Sequence, residues 1–365
     1  MPLIIDAHED IAYNMLTFGR DYRRSTQETH LLERDTAVPG FWGDSLLGWP
    51  DYQRGQVALI FGTLFIVPQQ YKEAEWDTQT YSTTSQAHRL YQSQIDVYHR
   101  LCDENPEQFK LIVSRKDLDE VLSAWDRTPA EYPDITHPVG LVMSMEGAEG
   151  IGAPEELEEW WEAGLRLVGP VWAGTRFCGG MYQPGNFDHE GFELLDVMAE
   201  LGYTLDVSHM SEKSTSQALD HYSGPVIASH SNARALIHAS ADERQLSDTN
   251  IHKLIERDGV IGILPYNKYL KADWVRSDGR RDMHLDLVAA QIDYICQLAS
   301  DARHVSLGSD FDGSFGLQSV PVELNSIADL QKLVPLLQIK GYSSHDIQAI
   351  LGGNWRRHLE RTLPS

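Results

Sequence analysis

Imidazole and carboxylate side chains stand in this chain at spacings that let them share a cation. Asp6-Ala7-His8-Glu9-Asp10 follows a short apolar run, and because side chains alternate along a strand, His8 and Asp10 point to one side. Val142-Met143-Ser144-Met145-Glu146 puts a carboxylate at the end of an apolar stretch, where desolvation is costly without a cationic partner. Leu205-Asp206-Val207-Ser208-His209 and Val226-Ile227-Ala228-Ser229-His230 each deliver a histidine, and Gly308-Ser309-Asp310-Phe311-Asp312 adds an acid. Taken singly, each has an ordinary explanation as a polar strand end, an ion pair or a helix cap. Together they offer the nitrogen and carboxylate-oxygen ligands that a hydrolytic zinc prefers.

The elements that must position these residues are short apolar runs separated by longer amphipathic stretches, the pattern of parallel strands alternating with helices. The runs are Leu3–Ile5, Ala58–Phe65, Leu141–Met145, Leu165–Gly169, Thr204–Val207, Val226–Ala228, Val260–Leu264 and Val305–Leu307. Eight such runs predict a (β/α)₈ TIM barrel of the metal-dependent hydrolase type, in which every strand's carboxyl end lies on one face. Five of those ends carry His, Asp or Glu. Five ligands exceed what one tetrahedral ion needs, so Glu146 could bridge two ions, with His8 and Asp10 completing one site and His209 and His230 the other, a clamp that would hold and deprotonate a water. Pro154 opens a helix that Gly164 closes, and Gly191 to Leu201 forms another, ended by Gly202. Residues 17–56, polar and without clear periodicity, are expected to form a long loop over the barrel mouth.

Length and composition favour a single α/β domain over residues 1–365, since 365 residues, 42% of them hydrophobic, bury one large core. Lys and Arg number 30 against 54 Asp and Glu, a net charge of −24, which repels a phosphate backbone and argues against nucleic acid. The three cysteines, Cys102, Cys178 and Cys296, are odd in number and widely spaced, so neither a disulfide framework nor a Cys-type zinc site is expected. The amino terminus has no basic region followed by an apolar segment, and no run of 18 apolar residues occurs. No membrane association and a cytoplasmic location are the expectations.

Through DAHED, SMEGAEG, LDVSHMS, PVIASHSNAR and LGSDFDG, in that order, the chain resembles the membrane (renal-type) dipeptidases of the amidohydrolase superfamily. The match spans nearly the whole chain, and Gly352-Gly353-Asn354-Trp355-Arg356-Arg357 looks like that family's closing helix. The resemblance implies a barrel with two zinc ions held by His8, Asp10, bridging Glu146, His209 and His230. It also implies a proton-handling and substrate-contacting role for Asp310, and an arginine for the substrate's terminal carboxylate, as a planar guanidinium suits bidentate pairing. Arg244 is the candidate and Arg234 the runner-up, because His238-Ala239-Ser240-Ala241-Asp242-Glu243-Arg244 is longer than the usual pattern. A second departure is Trp172, where family members often carry a histidine that helps bind the substrate carbonyl. An indole N–H donates one hydrogen bond but carries no charge.

The expected activity is hydrolysis of a dipeptide, including one with a D-residue at the second position, by a metal-bridged hydroxide. The rival within the enzyme class is an amidohydrolase for N-acyl amino acids or β-lactam-like amides. The rival outside it is a non-catalytic metal-binding protein, which the presence of Asp310 and all five ligands disfavours. Family members often form dimers, so a homodimer is implied by the resemblance alone.

Overall fold

The computed structural model describes residues 1–126, 135–237 and 243–365. Eight parallel strands form the barrel: β1 (Ile4–Glu9), β2 (Val57–Phe65), β3 (Val139–Glu146), β4 (Leu165–Gly169), β5 (Thr204–Asp206), β6 (Val226–Ile227), β7 (Ile261–Ile263) and β8 (Val305–Leu307). They are hydrogen-bonded in the order β7-β8-β1-β2-β3-β4-β5-β6, and a parallel bridge between Ala228 and Ile261 links β6 to β7. Each apolar run read from the sequence overlaps one of these strands. The reason is burial on both faces: all nine residues of β2 and all eight of β3 are buried, and such strands read as continuous apolar runs. An additional strand, Phe109–Leu111, pairs in parallel with the start of β3.

The helices follow their caps. Asp188 caps His189–Leu201 by accepting from the Gly191 N–H at 2.7 Å, and Gly202, at φ 86°, ends it. A 21-residue helix, Thr84–Glu104, capped by Thr83, buries Ala87, Tyr91, Ile95, Tyr98 and Cys102 against the barrel at helical spacing. Near the carboxyl terminus Trp355 donates to the Leu307 carbonyl at 2.8 Å and Asn354 to those of Ala302 and Val305, so the Asn354–Thr362 helix is tied to β8.

Residues 17–56, expected as a long loop, contain three short helices, Thr26–Glu33, Val38–Phe41 and Trp49–Gly55. Their four to eight residues are too few to show periodicity, and tertiary contact rather than amphipathic patterning holds them. Tyr22, Ser45 and the Leu46 N–H all donate to the buried carboxylate of Asp312, just past β8. Two glycines let strands approach closely: a Cβ on either Gly262 or Gly308 would come within 1.8 Å of the Ser229 carbonyl oxygen.

Candidate metal centre

The carboxyl ends of the strands bring the sequence-selected residues together. His8 lies in β1, Asp10 precedes the Ile11–Phe18 helix, and Glu146 ends β3; His209, His230 and Asp310 follow β5, β6 and β8. His8 Nε2 stands 3.2 Å from Glu146 Oε2, 3.7 Å from Asp310 Oδ1 and 3.8 Å from Asp10 Oδ2. Across from it His230 Nε2 and His209 Nε2 are 2.8 Å apart, and each is 3.5 Å from a Glu146 oxygen. Glu146 is thus the carboxylate shared by all three imidazoles. Ligand atoms of Glu146, His209 and His230 lie within 4.8 Å of one another, as do those of His8, His230 and Asp310.

Two of these residues hold unusual backbone. His209 has φ 66° and Asp310 φ 55°, left-handed conformations that cost non-glycine residues energy and cluster at functional positions. Gly313 makes room for the acids, since a Cβ there would meet Asp310 Oδ1 at 2.1 Å and Asp10 Oδ2 at 2.6 Å.

Burial sets the electrostatics. Desolvation lifts the Glu146 carboxyl well above its usual range and raises Asp310 as well. Burial works against charge on His8, but Asp10, Glu146 and Asp310 around it outweigh that and hold it at about 10. His209 and His230 go the other way, pushed well below the ordinary imidazole value by burial and by nearby Arg244 and His8. Three acids around one imidazole therefore draw in positive charge, while two further imidazoles present neutral nitrogens.

Each histidine is backed on its Nδ1 side. Thr63 Oγ1 lies 3.3 Å from His8 Nδ1 and 3.1 Å from Ser144 Oγ. Ser229 Oγ is 2.7 Å from His230 Nδ1, and Met181 Sδ is 3.0 Å from His209 Nδ1. None of these partners was singled out from the sequence. Ser144 and Ser229 stand in the quoted motifs, one turn of alternation or one residue from a candidate ligand, and that proximity was the available signal.

The arginines separate. Arg244 is buried, donating to Ser231 Oγ at 3.0 Å and the His230 carbonyl at 2.7 Å, with its guanidinium over the Tyr269 ring. Arg234 instead pairs with Glu212 at 2.9 Å and donates to the Gln245 carbonyl. Positions 238–242 of the lengthened segment lie outside the described residues. Trp172 sits beyond β4 among Phe65, Tyr71 and Tyr182, with its ring 6.5 Å from that of His209.

Residues 2–362 match the model of the membrane dipeptidases, peptidase family M19. The chain belongs to that family. Membership makes this M19 protein a metallo-dipeptidase, a hydrolase of peptide bonds. It is 34% identical over 234 residues to an uncharacterised protein encoded in the pqqA 5′ region of Klebsiella pneumoniae, covering 61% of this chain and 82% of that one. It is 27% identical over 289 residues to dipeptidase aclJ of Aspergillus oryzae, covering 74% of this chain and 62% of that protein. Its fold is shared with the crystal structure of dipeptidase AC, an M19 metallo peptidase, at TM-score 0.79 and 23% identity, over 100% of this chain and 99% of that one. It is shared as well with a metallo peptidase from Rhodobacter sphaeroides liganded with a phosphinate mimic of the dipeptide L-Ala-D-Ala, at TM-score 0.77 and 23% identity, covering 99% of each. Among the described residues no helix is long and apolar enough to cross a membrane.

Proposed function

We propose that the chain hydrolyses free dipeptides at a two-zinc centre held by His8, Asp10, Glu146, His209 and His230, with Asp310 moving the proton and Arg244 holding the substrate's carboxylate. The observation that carries this reading is Glu146, whose two oxygens face three imidazole Nε2 atoms at 3.2–3.5 Å.

The residues present fit a cation. Glu146 Oε2 and Asp10 Oδ1 are buried side-chain oxygens with no hydrogen-bond partner, a costly state for a carboxylate that cationic ligation relieves. Nitrogen and oxygen donors without a thiolate suit zinc, and manganese or cobalt also. Bound zinc supplies Lewis-acid polarisation of a carbonyl and acidification of a water.

The remaining chemistry belongs to the chain. Arg244, buried beside His230, offers a planar guanidinium to a terminal carboxylate and so fixes which end of the substrate enters. Asp310 Oδ1, 3.7 Å from His8 Nε2, accepts the proton of the attacking water and delivers it to the departing amine. Acceptance of a D-residue at the second position draws support from the L-Ala-D-Ala mimic bound by the Rhodobacter sphaeroides protein of the same fold.

The test is metal content measured together with hydrolysis of dipeptides carrying L- or D-residues at the second position, beside N-acylated amino acids, for the wild type and His8→Ala. Two zinc ions per chain and cleavage of free dipeptides, both lost in the variant, are expected. Cleavage of blocked substrates alone would replace the substrate class, and zinc without any hydrolysis would overturn the catalytic reading.

A further inference from the structure

Behind His230 runs a hydrogen-bonded chain whose direction is fixed. Asp206 Oδ1 accepts the backbone N–H groups of Ser208 and Ser229, each at 2.9 Å. Asp206 Oδ2 makes a short hydrogen bond with Ser229 Oγ, which lies 2.7 Å from His230 Nδ1. A carboxylate only accepts, so the Ser229 hydroxyl donates to Asp206 and its oxygen is left to accept from His230 Nδ1–H. The ring's lone pair then resides on Nε2, the atom facing Glu146 Oε2 at 3.5 Å and His209 Nε2 at 2.8 Å. All three residues are buried, so water does not compete for these bonds.

The serine is itself held in place. Its carbonyl is enclosed by Gly262 and Gly308, either of which would clash with it on gaining a Cβ. The His230 N–H donates to Ser208 Oγ at 3.2 Å, fixing the backbone on the other side.

A matching pair occurs across the barrel and supplies the contrast. Ser309 N donates to Asp6 Oδ1 at 2.7 Å and Ser309 Oγ makes a short bond to Asp6 Oδ2, but Ser309 Oγ accepts from the Phe311 N–H at 3.2 Å, not from an imidazole. Asp6–Ser309 therefore holds the left-handed turn that presents Asp310, whereas Asp206–Ser229 extends to a ring nitrogen.

We propose that Ser229 is a positioning residue that relays Asp206 to His230 and locks the Nδ1–H tautomer, so that Nε2 is always offered to the cation. This rests on the reading of His230 as a metal ligand. Partners of this kind orient a ligating imidazole and raise its basicity, and losing one weakens metal binding by about 10- to 100-fold.

The experiment compares the full chain with Ser229→Ala, Asp206→Asn and Ser309→Ala. Zinc affinity is read by competition with a chromophoric chelator, the His230 tautomer by ¹⁵N NMR of the metal-free, histidine-labelled protein, and folding by thermal unfolding. Ser229→Ala is expected to lose about 10- to 100-fold in zinc affinity and to show mixed tautomers. Asp206→Asn turns its amide toward Ser229 Oγ, reverses the chain and moves the His230 proton to Nε2. Ser309→Ala is expected to keep zinc affinity and tautomer while lowering kcat. Wild-type zinc affinity and an unchanged Nδ1–H tautomer in Ser229→Ala would overturn the relay. So would an unshifted tautomer in Asp206→Asn, which decides the matter if the alanine variant fails to fold. A wild type that binds no zinc would overturn the metal centre itself.

Discussion

Arg20 and Asp312 form an ion pair sealed from water, Nη1 to Oδ2 at 3.0 Å, with their side chains 1% and 0% exposed. The same guanidinium meets Glu33 through two parallel bonds at 2.9 and 3.0 Å, and the same carboxylate oxygen accepts from Tyr22 and Ser45. One acid two residues beyond Asp310 thereby fastens the helical segment before β2 onto the turn that presents Asp310.

Asp312→Ala should therefore be severe. It leaves Arg20 with Glu33 as its remaining acid partner and leaves the hydroxyl and backbone donors of Tyr22, Ser45 and Leu46 unmatched, for which a loss of about 3–5 kcal/mol is expected. Denaturant unfolding checks this. A variant within about 1 kcal/mol of the wild type would mean that the segment is held by its apolar contacts instead.

Asp310→Asn tests the proposed proton transfer, because it removes the ionisable group but keeps a side chain of the same shape. The expected result is a fall in kcat of about 10²- to 10⁴-fold with zinc content retained, measured by steady-state kinetics and elemental analysis on the same preparation. Retained turnover would assign the proton step to another group.

Arg244→Ala should act on substrate capture. Charge-assisted hydrogen bonds are worth about 1.5–3 kcal/mol, so KM for a free dipeptide is expected to rise about 10- to 100-fold with kcat less affected. A C-terminally amidated substrate, lacking the carboxylate, should be cleaved equally poorly by both proteins. If Arg234→Ala gave the larger KM effect, the two arginines would exchange roles.

What could be read from the sequence divides along physical lines. The barrel was legible because doubly buried parallel strands are written as apolar runs, and β4 and β8 coincide with theirs to the residue. The cluster of imidazoles and acids was legible because a barrel gathers strand ends on one face, and the structure gathers them. The Thr26–Glu33 helix was not recognised, although Ser25 and Glu28 form a capping box that the sequence already contained. Asp206 and Asp312 were quoted within motifs but given no task, since their partners Ser229 and Arg20 are brought to them only by the closure of the barrel. The left-handed backbone at His209 and Asp310 is only weakly signalled by residue type: Asp and His are enriched at positive φ, yet only a few per cent of non-glycine residues lie there.

The metal-free protein should weaken as pH rises from about 6.5 to 8. His8 is held at about 10 against an ordinary 6.5, burial opposing its charge and Asp10 and Glu146 outweighing that. Its stabilisation is complete below 6.5 and is lost toward 10. Asp310, raised to about 8 chiefly by burial, keeps a proton that the unfolded chain has released, so its contribution also declines up to about 8. His209 and His230 are depressed, so they are neutral in both states above 6.5 and change stability only below it. Thermal unfolding of chelator-treated protein across this interval should show a falling midpoint, and zinc should remove most of the slope by replacing the protons with a cation. A flat profile without metal would contradict the charge arrangement around His8.

Trp172 tests what the rim beside His209 selects. Its ring lies 5.3 Å from Phe65, 5.8 Å from Tyr71 and 5.4 Å from Tyr182, and Tyr182 remains 49% exposed. Such a wall offers apolar surface and ring edges to a substrate side chain. Removing it with Trp172→Ala disturbs the packing of its neighbours for every substrate alike, so the informative quantity is a ratio. We expect kcat/KM for a dipeptide with a phenylalanyl side chain to fall about tenfold more than for its alanyl counterpart, the scale on which apolar pockets discriminate. Equal losses for both would show that the indole supports the loops without meeting the substrate, because packing damage cancels in the ratio and direct contact does not.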